Sequence, residues 1–397
     1  MNATCAPPYD VIGDAERAGL AARTPYNVVH IDLPIPDADD APGATPEDPY
    51  HRSARLLGEW QEDRVLVTDE EAGFYVYRMG FHDEHGRARQ TTGVIGALTL
   101  SPPGDGRILP HEQTTPKAKS DRLDLLRATH ANLSPIWGLS LAEGLTDLCE
   151  VPGPPVARAT DAQGVHHRLW RVTSPAIVEA IGQAVSSTPI VLADGHHRFE
   201  TSLAYRDERR AAANGAGGAY DATMALVIEL TDRELSVQAI HRLFRGLPVA
   251  KRSSDAVVNA LEPWFDAFDA GAGSTDLLAR MDDAGALGLV MPDGQAWLLR
   301  PRPGAFPDGT PDLDSARLQV AASVAFPQAE VTWQHGVEHI LARVADTAED
   351  FDFGVLLRPV GIAQIAACAH GGARMPPKST YFYPKPLTGM VFRSLDR

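Results

Sequence analysis

The chain has 397 residues, 44% of them hydrophobic, enough to bury the cores of two or three domains and to exclude disordered and fibrous classes. Its 52 acidic side chains against 36 basic ones leave a formal net charge of −16, which repels phosphate backbones at long range and argues against nucleic acid as a partner. Cys5, Cys149 and Cys368 show neither metal-type spacing nor a disulfide framework, the first residues lack the regions of a signal peptide, and no apolar run approaches the roughly 18–20 residues of a membrane helix. A soluble, cytoplasmic protein without a membrane partner is expected.

Taken in chain order, a helical step through Tyr50, Ala54, Leu57 and Gln61 predicts a helix over Asp48–Asp63. Phe74–Met79 and Thr91–Leu100, rich in β-branched and aromatic residues, read as strands. Ser120 is placed to cap a helix reaching about His130, with Leu123 and Leu126 toward the core. Ser174 before Pro175 reads as an N-cap and first-turn proline, followed by the stripe Ile177, Ile181 and Val185. A strand at Pro189–Ala193 runs into a helix over His196–Ala213, and further strands are expected at Ala222–Leu230 and Leu235–Arg242. Leu287–Met291 and Ala296–Arg300 flank a Pro-Asp-Gly-Gln turn, a hairpin signal. Strands and helices interleave, so the fold class is mixed α+β. Three regions are expected: 1–106, 107–213 and 214–397.

Chemistry concentrates in Thr188–Arg206, TPIVLADGHHRFETSLAYR. An apolar strand meets Asp194 and Gly195, and glycine permits positive φ or close backbone approach at such a turn. The first amides of the following helix have no intrahelical acceptors, and the dipole leaves partial positive charge there. With His196, His197 and Arg198 added, the junction is a seat for phosphate. Zinc is disfavoured, because adjacent histidines diverge on a helix and no third ligand has a suitable spacing.

A second window, Arg107–His130, places His111 and Glu112 in a loop with Thr114, Thr115, Lys117 and Lys119. A carboxylate beside a histidine can take the proton of a substrate hydroxyl, although such mixtures also occur as solvated charged loops. The third window is Met375–Met390, MPPKSTYFYPKPLTGM. Lys378, Ser379 and Thr380 resemble the tail of a P-loop, but the upstream glycines are missing and a Walker-type site is rejected. This segment either lines a pocket or docks on the protein body. His241-Arg242, after a strand, and Pro7-Pro8-Tyr9-Asp10 are weaker candidates for which a structural role is favoured.

PPYDVI near the start, HE…T…K…DRL, NLSPI, DGHHRFETS, the HR pair and MPPKSTYFYPK together identify the chain as a member of the uncharacterised-domain family numbered 1015, found in bacteria and archaea. LPHE followed by a strand and DGHHR more distantly resembles free-serine kinases of the ParB/sulfiredoxin-like superfamily. That resemblance implies a ParB/sulfiredoxin-like core within 107–213, with Glu112 as the base beside His111. Asp194, Gly195, His196, His197 and Arg198 would then hold the phosphates of ATP or ADP with Mg²⁺. The expected activity is phosphoryl transfer from nucleotide to a small hydroxylated metabolite such as a serine-type amino acid. A ParB-like nucleotide-binding and hydrolysing regulator is the alternative. Lys117, Arg242, Lys378, Ser379 and Thr380 are candidate pocket-lining residues. The block around Asn132–Val172 has no equivalent in the compact kinases, and the region after Ala213 has no assignable counterpart, so serine specificity is not carried over.

Overall fold

The computed structural model describes the chain apart from residues 36–46, 84–85, 103, 111–117, 371–374, 377 and 397, and for 110, 118–120 and 369–370 it describes the backbone alone. Two compact units result, dividing at Ser236 and Val237. The first holds residues 1–110, 118–236 and 384–396, so the end of the chain returns to it, and the second holds 237–383.

The first unit is built on an eight-stranded sheet. Its strands are β1 (Phe74–His82), β2 (Ala88–Thr99), β3 (Ile108–Pro110), β4 (Ile136–Ser140), β5 (Ala157–Thr160), β6 (His166–Val172), β7 (Ile190–Asp194) and β8 (Ala222–Glu229). They lie in the order β3-β7-β4-β8-β2-β1-β6-β5. β3 with β7 and β4 with β8 are parallel, and the other neighbours are antiparallel. The block at 132–172 is therefore no peripheral insert: it supplies β4, between β7 and β8, and the edge pair β5 and β6.

Four longer helices accompany this sheet: α1 (Pro49–Glu62), α2 (Ala118–Thr129), α3 (Pro175–Ser186) and α4 (His196–Ala212). α1 starts because the Asp48 carboxylate accepts from the Tyr50 and His51 amides. α2 begins two residues before the expected Ser120 cap, and Leu125 joins Leu126 among its buried residues. Ser174 precedes α3 without a capping hydrogen bond from its side chain, leaving Pro175 as the start signal. α4 buries Phe199 and Leu203, one turn apart, in the core with Val76, Val94, Ile136 and Leu192. Arg209 and Arg210 in its last turn suit the negative end of the dipole.

The second unit has its own six-stranded sheet, in the order Phe265–Ala272, Gln295–Pro301, Leu287–Val290, Phe353–Leu356, His241–Arg245, Glu330–Gln334. Side chains alternate across it. Phe244, Leu289, Leu299 and Val355 pack on one face with Leu261 and Leu318, while Leu243, Val290, Leu298 and Leu356 pack on the other with Met281 and Ile340. The hairpin at Pro292-Asp293-Gly294 forms as expected, with Gly294 at φ 83°. The single strand expected over Leu235–Arg242 is instead two pieces. Ser236–Gln238 pairs with Tyr381–Tyr383, and His241–Arg245 enters the sheet, so the change of partner breaks the strand. Among the described residues no helix is long and apolar enough to cross a membrane.

Candidate functional site

β7 ends on Asp194, and Gly195 makes the turn with φ 81° and ψ 29°, after which α4 begins at His196. That left-handed conformation is costly for residues with a Cβ. Here a Cβ would also meet the Arg198 Nε and Nη2 atoms at 3.1 Å, because the guanidinium folds back over the turn. Gly195→Ala is therefore expected to destabilise the first unit by about 1–3 kcal/mol. A denaturation midpoint equal to that of the wild type would contradict this account of the turn.

Arg198 binds inward. Its Nη1 donates to Ser134 Oγ at 3.0 Å and to the Pro135 carbonyl, and its Nη2 donates to Asp194 Oδ2 at 3.4 Å. The other Asp194 oxygen lies 3.2 Å from Lys385 Nζ. Burial works against the charge on Asp194, but Lys385 and Arg198, with His196 beyond them, overrule it and hold the carboxyl well below the usual carboxylate range. Lys385 and Arg198 bring two positive charges to the helix start, beside the positive end of its dipole.

Lys385 arrives from the far end of the chain, and what places it can be traced. Thr388 and Ala6 exchange backbone hydrogen bonds, tying the terminal segment to the residues before Tyr9. Leu387 N–H donates to Tyr77 Oη at 3.0 Å, Tyr77 Oη lies 2.8 Å from His167 Nδ1, and His167 Nε2 lies 3.2 Å from Asp161 Oδ2. Tyr77 and His167 are fully buried, and burial pushes the Tyr77 hydroxyl far above its ordinary range. This satisfied chain anchors the segment two residues from Lys385.

Behind the turn lies a second charged layer. Arg122 stacks its guanidinium 4.1 Å from the Tyr9 ring centre and donates from Nη1 to Asp32, at 2.7 Å to the carbonyl and 3.2 Å to Oδ1. Burial raises the Asp32 pKa despite Arg122 and Arg198. Arg198 Nε and Thr201 Oγ1 are buried without a hydrogen-bond partner among the described residues. Both residues line a cavity of about 50 Å³ shared with Asp32 and Arg122, which is room for a water-sized polar group.

Asp194 is engaged by cations rather than open to Mg²⁺. Both oxygens of Asp194 are committed to cations, and among the described residues no group of three or more His, Cys, Asp or Glu side chains converges.

Residues 1–323 match the family described as "Protein of unknown function (DUF1015)". The chain belongs to the DUF1015 family. The terminal MPPKSTYFYPK string lies beyond the matched span. No curated protein matches the chain. Among solved structures it is similar to a conserved hypothetical protein from Pyrococcus furiosus, at 11% identity over 74% of this chain and 91% of that one, with a TM-score of 0.38. It is likewise similar to a free serine kinase in complex with AMP, at 12% identity over 73% and 86%, with a TM-score of 0.37. SbnI with a C-terminal truncation, from Staphylococcus aureus, gives 11% identity over 74% and 85%, with a TM-score of 0.39.

Within this family member, Asp194 through Arg198 sit together at the turn. His111, Glu112 and Lys117 lie outside the described residues. The remaining candidates fall in the second unit, where Arg242 donates from Nη2 to the Lys378 carbonyl at 2.9 Å and from Nη1 to that of Ile240 at 2.6 Å. Ser379 Oγ lies 2.8 Å from Ser315 Oγ and donates to the Pro376 carbonyl at 2.7 Å, and Thr380 follows it, half-buried. Arg242 thus holds the segment by the Lys378 backbone, and Ser315 holds it by the Ser379 side chain. Sequence reasoning named neither Lys385, Ser134, Asp32 nor Arg122 as a site residue. Lys385, Ser134 and Arg122 lie inside the YFYPK, NLSPI and DRL strings, which was the available signal, and Asp32 carried none.

Proposed function

We propose that this protein is a nucleotide-dependent phosphotransferase that uses ATP or ADP to phosphorylate a small hydroxylated metabolite. The observation that carries the reading is the turn itself: a left-handed glycine between a strand and a long helix, with Asp194 held ionised between Lys385 and Arg198. The terminal phosphates would lie against the helix start, where the helix dipole and the cations Lys385 and Arg198 favour an anion. Glu112 would take the proton of the acceptor hydroxyl. The acceptor oxygen then forms its bond to the terminal phosphorus as the bond to the bridging oxygen breaks, and the shortened nucleotide leaves. Phosphoryl transfer asks mainly for positioning and charge stabilisation, which suits a site this rich in fixed charges. The same reading takes 107–213 as a ParB/sulfiredoxin-like core and a serine-type amino acid as the acceptor to test first.

Labelled ATP or ADP incubated with the protein and pools of amino acids and sugars tests this directly. A phosphorylated metabolite is expected, and Glu112→Gln should cut its formation by about 10²–10⁴-fold while nucleotide still binds. Undiminished turnover in that variant removes Glu112 as base. Nucleotide binding with slow hydrolysis and no phosphorylated acceptor would assign the protein to the regulatory alternative.

A further inference from the structure

The first unit contains a cavity that the phosphate turn does not use. It has a volume of about 340 Å³ and lies between α3 and the sheet, with Ile181 and Val185 on the helix side and Val94, Leu98, Ile190 and Val227 on the sheet side. Protein interiors leave few voids larger than a water molecule, and apolar pockets of roughly 300–1,000 Å³ are the usual size of small-molecule sites. Part of its wall depends on Gly96, over which the Phe74 ring lies so closely that a Cβ would come within 2.5 Å of it. On the helix side, Gly182 lines the cavity, and a Cβ there would meet nothing within 4 Å.

Of the polar side chains lining the cavity, Thr99, Arg107, Ser186 and Thr188, two mark one lip. Thr188 Oγ1 is buried and has no hydrogen-bond partner among the described residues, an arrangement that costs about 1–3 kcal/mol if nothing answers it. Arg107 lines the same cavity with a largely exposed side chain, touched by Asp105 at 3.4 Å. The lip is a continuous piece of structure, because Ile190 N–H donates to the Arg107 carbonyl at 2.8 Å and Ile108 pairs with Ile190. The cavity thus opens at the beginning of β7, whereas Asp194 ends that strand. Four strand steps separate them, about 13 Å.

A mainly apolar chamber lined also by the Arg107 guanidinium and the Thr99, Ser186 and Thr188 side chains fits an amphiphile with an anionic head. We propose that this cavity binds a medium-chain aliphatic monocarboxylate, with its tail between α3 and the sheet and its carboxylate on Arg107 and the Thr188 hydroxyl. The aliphatic chain matches the apolar walls, and a carboxylate has the oxygens to accept from both donors.

Calorimetric titration of the full chain with octanoate and octan-1-ol tests it. Octanoate should bind saturably and raise the melting temperature, and octan-1-ol should bind roughly tenfold more weakly for want of the charge-assisted contact. Arg107→Gln should bring octanoate down to the level of the alcohol, and Gly182→Leu, which fills the chamber, should abolish both. Because leucine is a better helix former than glycine, Gly182→Leu should melt no lower than the wild type, and its melting curve confirms that it is folded. If Gly182→Leu melts lower, Thr188→Val, which removes the hydroxyl while keeping the side chain's volume, takes its place and should weaken octanoate more than octan-1-ol. The proposal is overturned if octanoate does not bind the wild type, if it binds Gly182→Leu equally well, or if octan-1-ol binds as tightly.

Discussion

Replacing Arg198 with alanine is expected to cost the first unit about 3–5 kcal/mol and to weaken nucleotide binding at the same time. The side chain is only 12% exposed, so water does little to screen what it holds. One guanidinium serves Ser134, the Pro135 carbonyl and Asp194 together. Alanine strands the first two without a donor and leaves Lys385 as the ion-pair partner of the half-buried Asp194 carboxylate. The turn that presents the start of α4 then loses the group folded over Gly195. Arg198→Lys separates charge from shape, since an ammonium keeps the charge but cannot span the same acceptors as a planar fork. It should recover less than half of the lost stability. Denaturant unfolding and nucleotide titration at a temperature where both variants are folded provide the two readouts. An unfolding free energy within about 0.5 kcal/mol of the wild type, together with unchanged nucleotide affinity, would show that Arg198 neither shapes nor serves the turn.

The contrast between Arg198 and Lys385 shows what the sequence could reveal. Asp194, Gly195 and Arg198 share one strand-to-helix junction, and local rules suffice there: apolar strand, glycine, then Phe199 and Leu203 at helical spacing. The helix over Asp48–Asp63 and the Asp293-Gly294 hairpin were readable for the same reason. Lys385 pairs with Asp194 across nearly half of the chain, and its placement depends on Tyr77, His167 and Ala6, which no local pattern connects. Strand β4 was missed for a different reason. Ile-Trp-Gly-Leu-Ser is five buried residues with no alternation, and periodicity does not separate a fully buried strand from other apolar runs. Ser134 and Pro135, which bind Arg198, immediately precede that strand, so missing β4 also hid part of the site.

The histidine of the HR pair carries the second large expectation, and it concerns stability rather than catalysis. His241 lies in the sheet of the second unit, 3% exposed, and its Nδ1 accepts from Leu357 N–H at 3.1 Å. Burial, followed by the neighbouring Arg242 and His335, lowers its pKa from 6.5 to about 3. The folded state therefore keeps this imidazole neutral where the unfolded chain would protonate it. A depressed folded pKa means that its contribution is complete above pH 6.5 and is lost as the pH falls toward 3. The slope is roughly 1.4 kcal/mol per pH unit across that window. Protonation would also turn the Nδ1 acceptor into a donor facing the Leu357 N–H. His241→Asn offers a side-chain oxygen in place of Nδ1 and does not titrate. At pH 7 it should be less stable than the wild type because of imperfect packing, yet between pH 6.5 and 4.5 its unfolding free energy should fall less steeply. Parallel pH slopes for the two proteins would mean that His241 is protonated in the folded state, and its contact with Leu357 would then need another explanation.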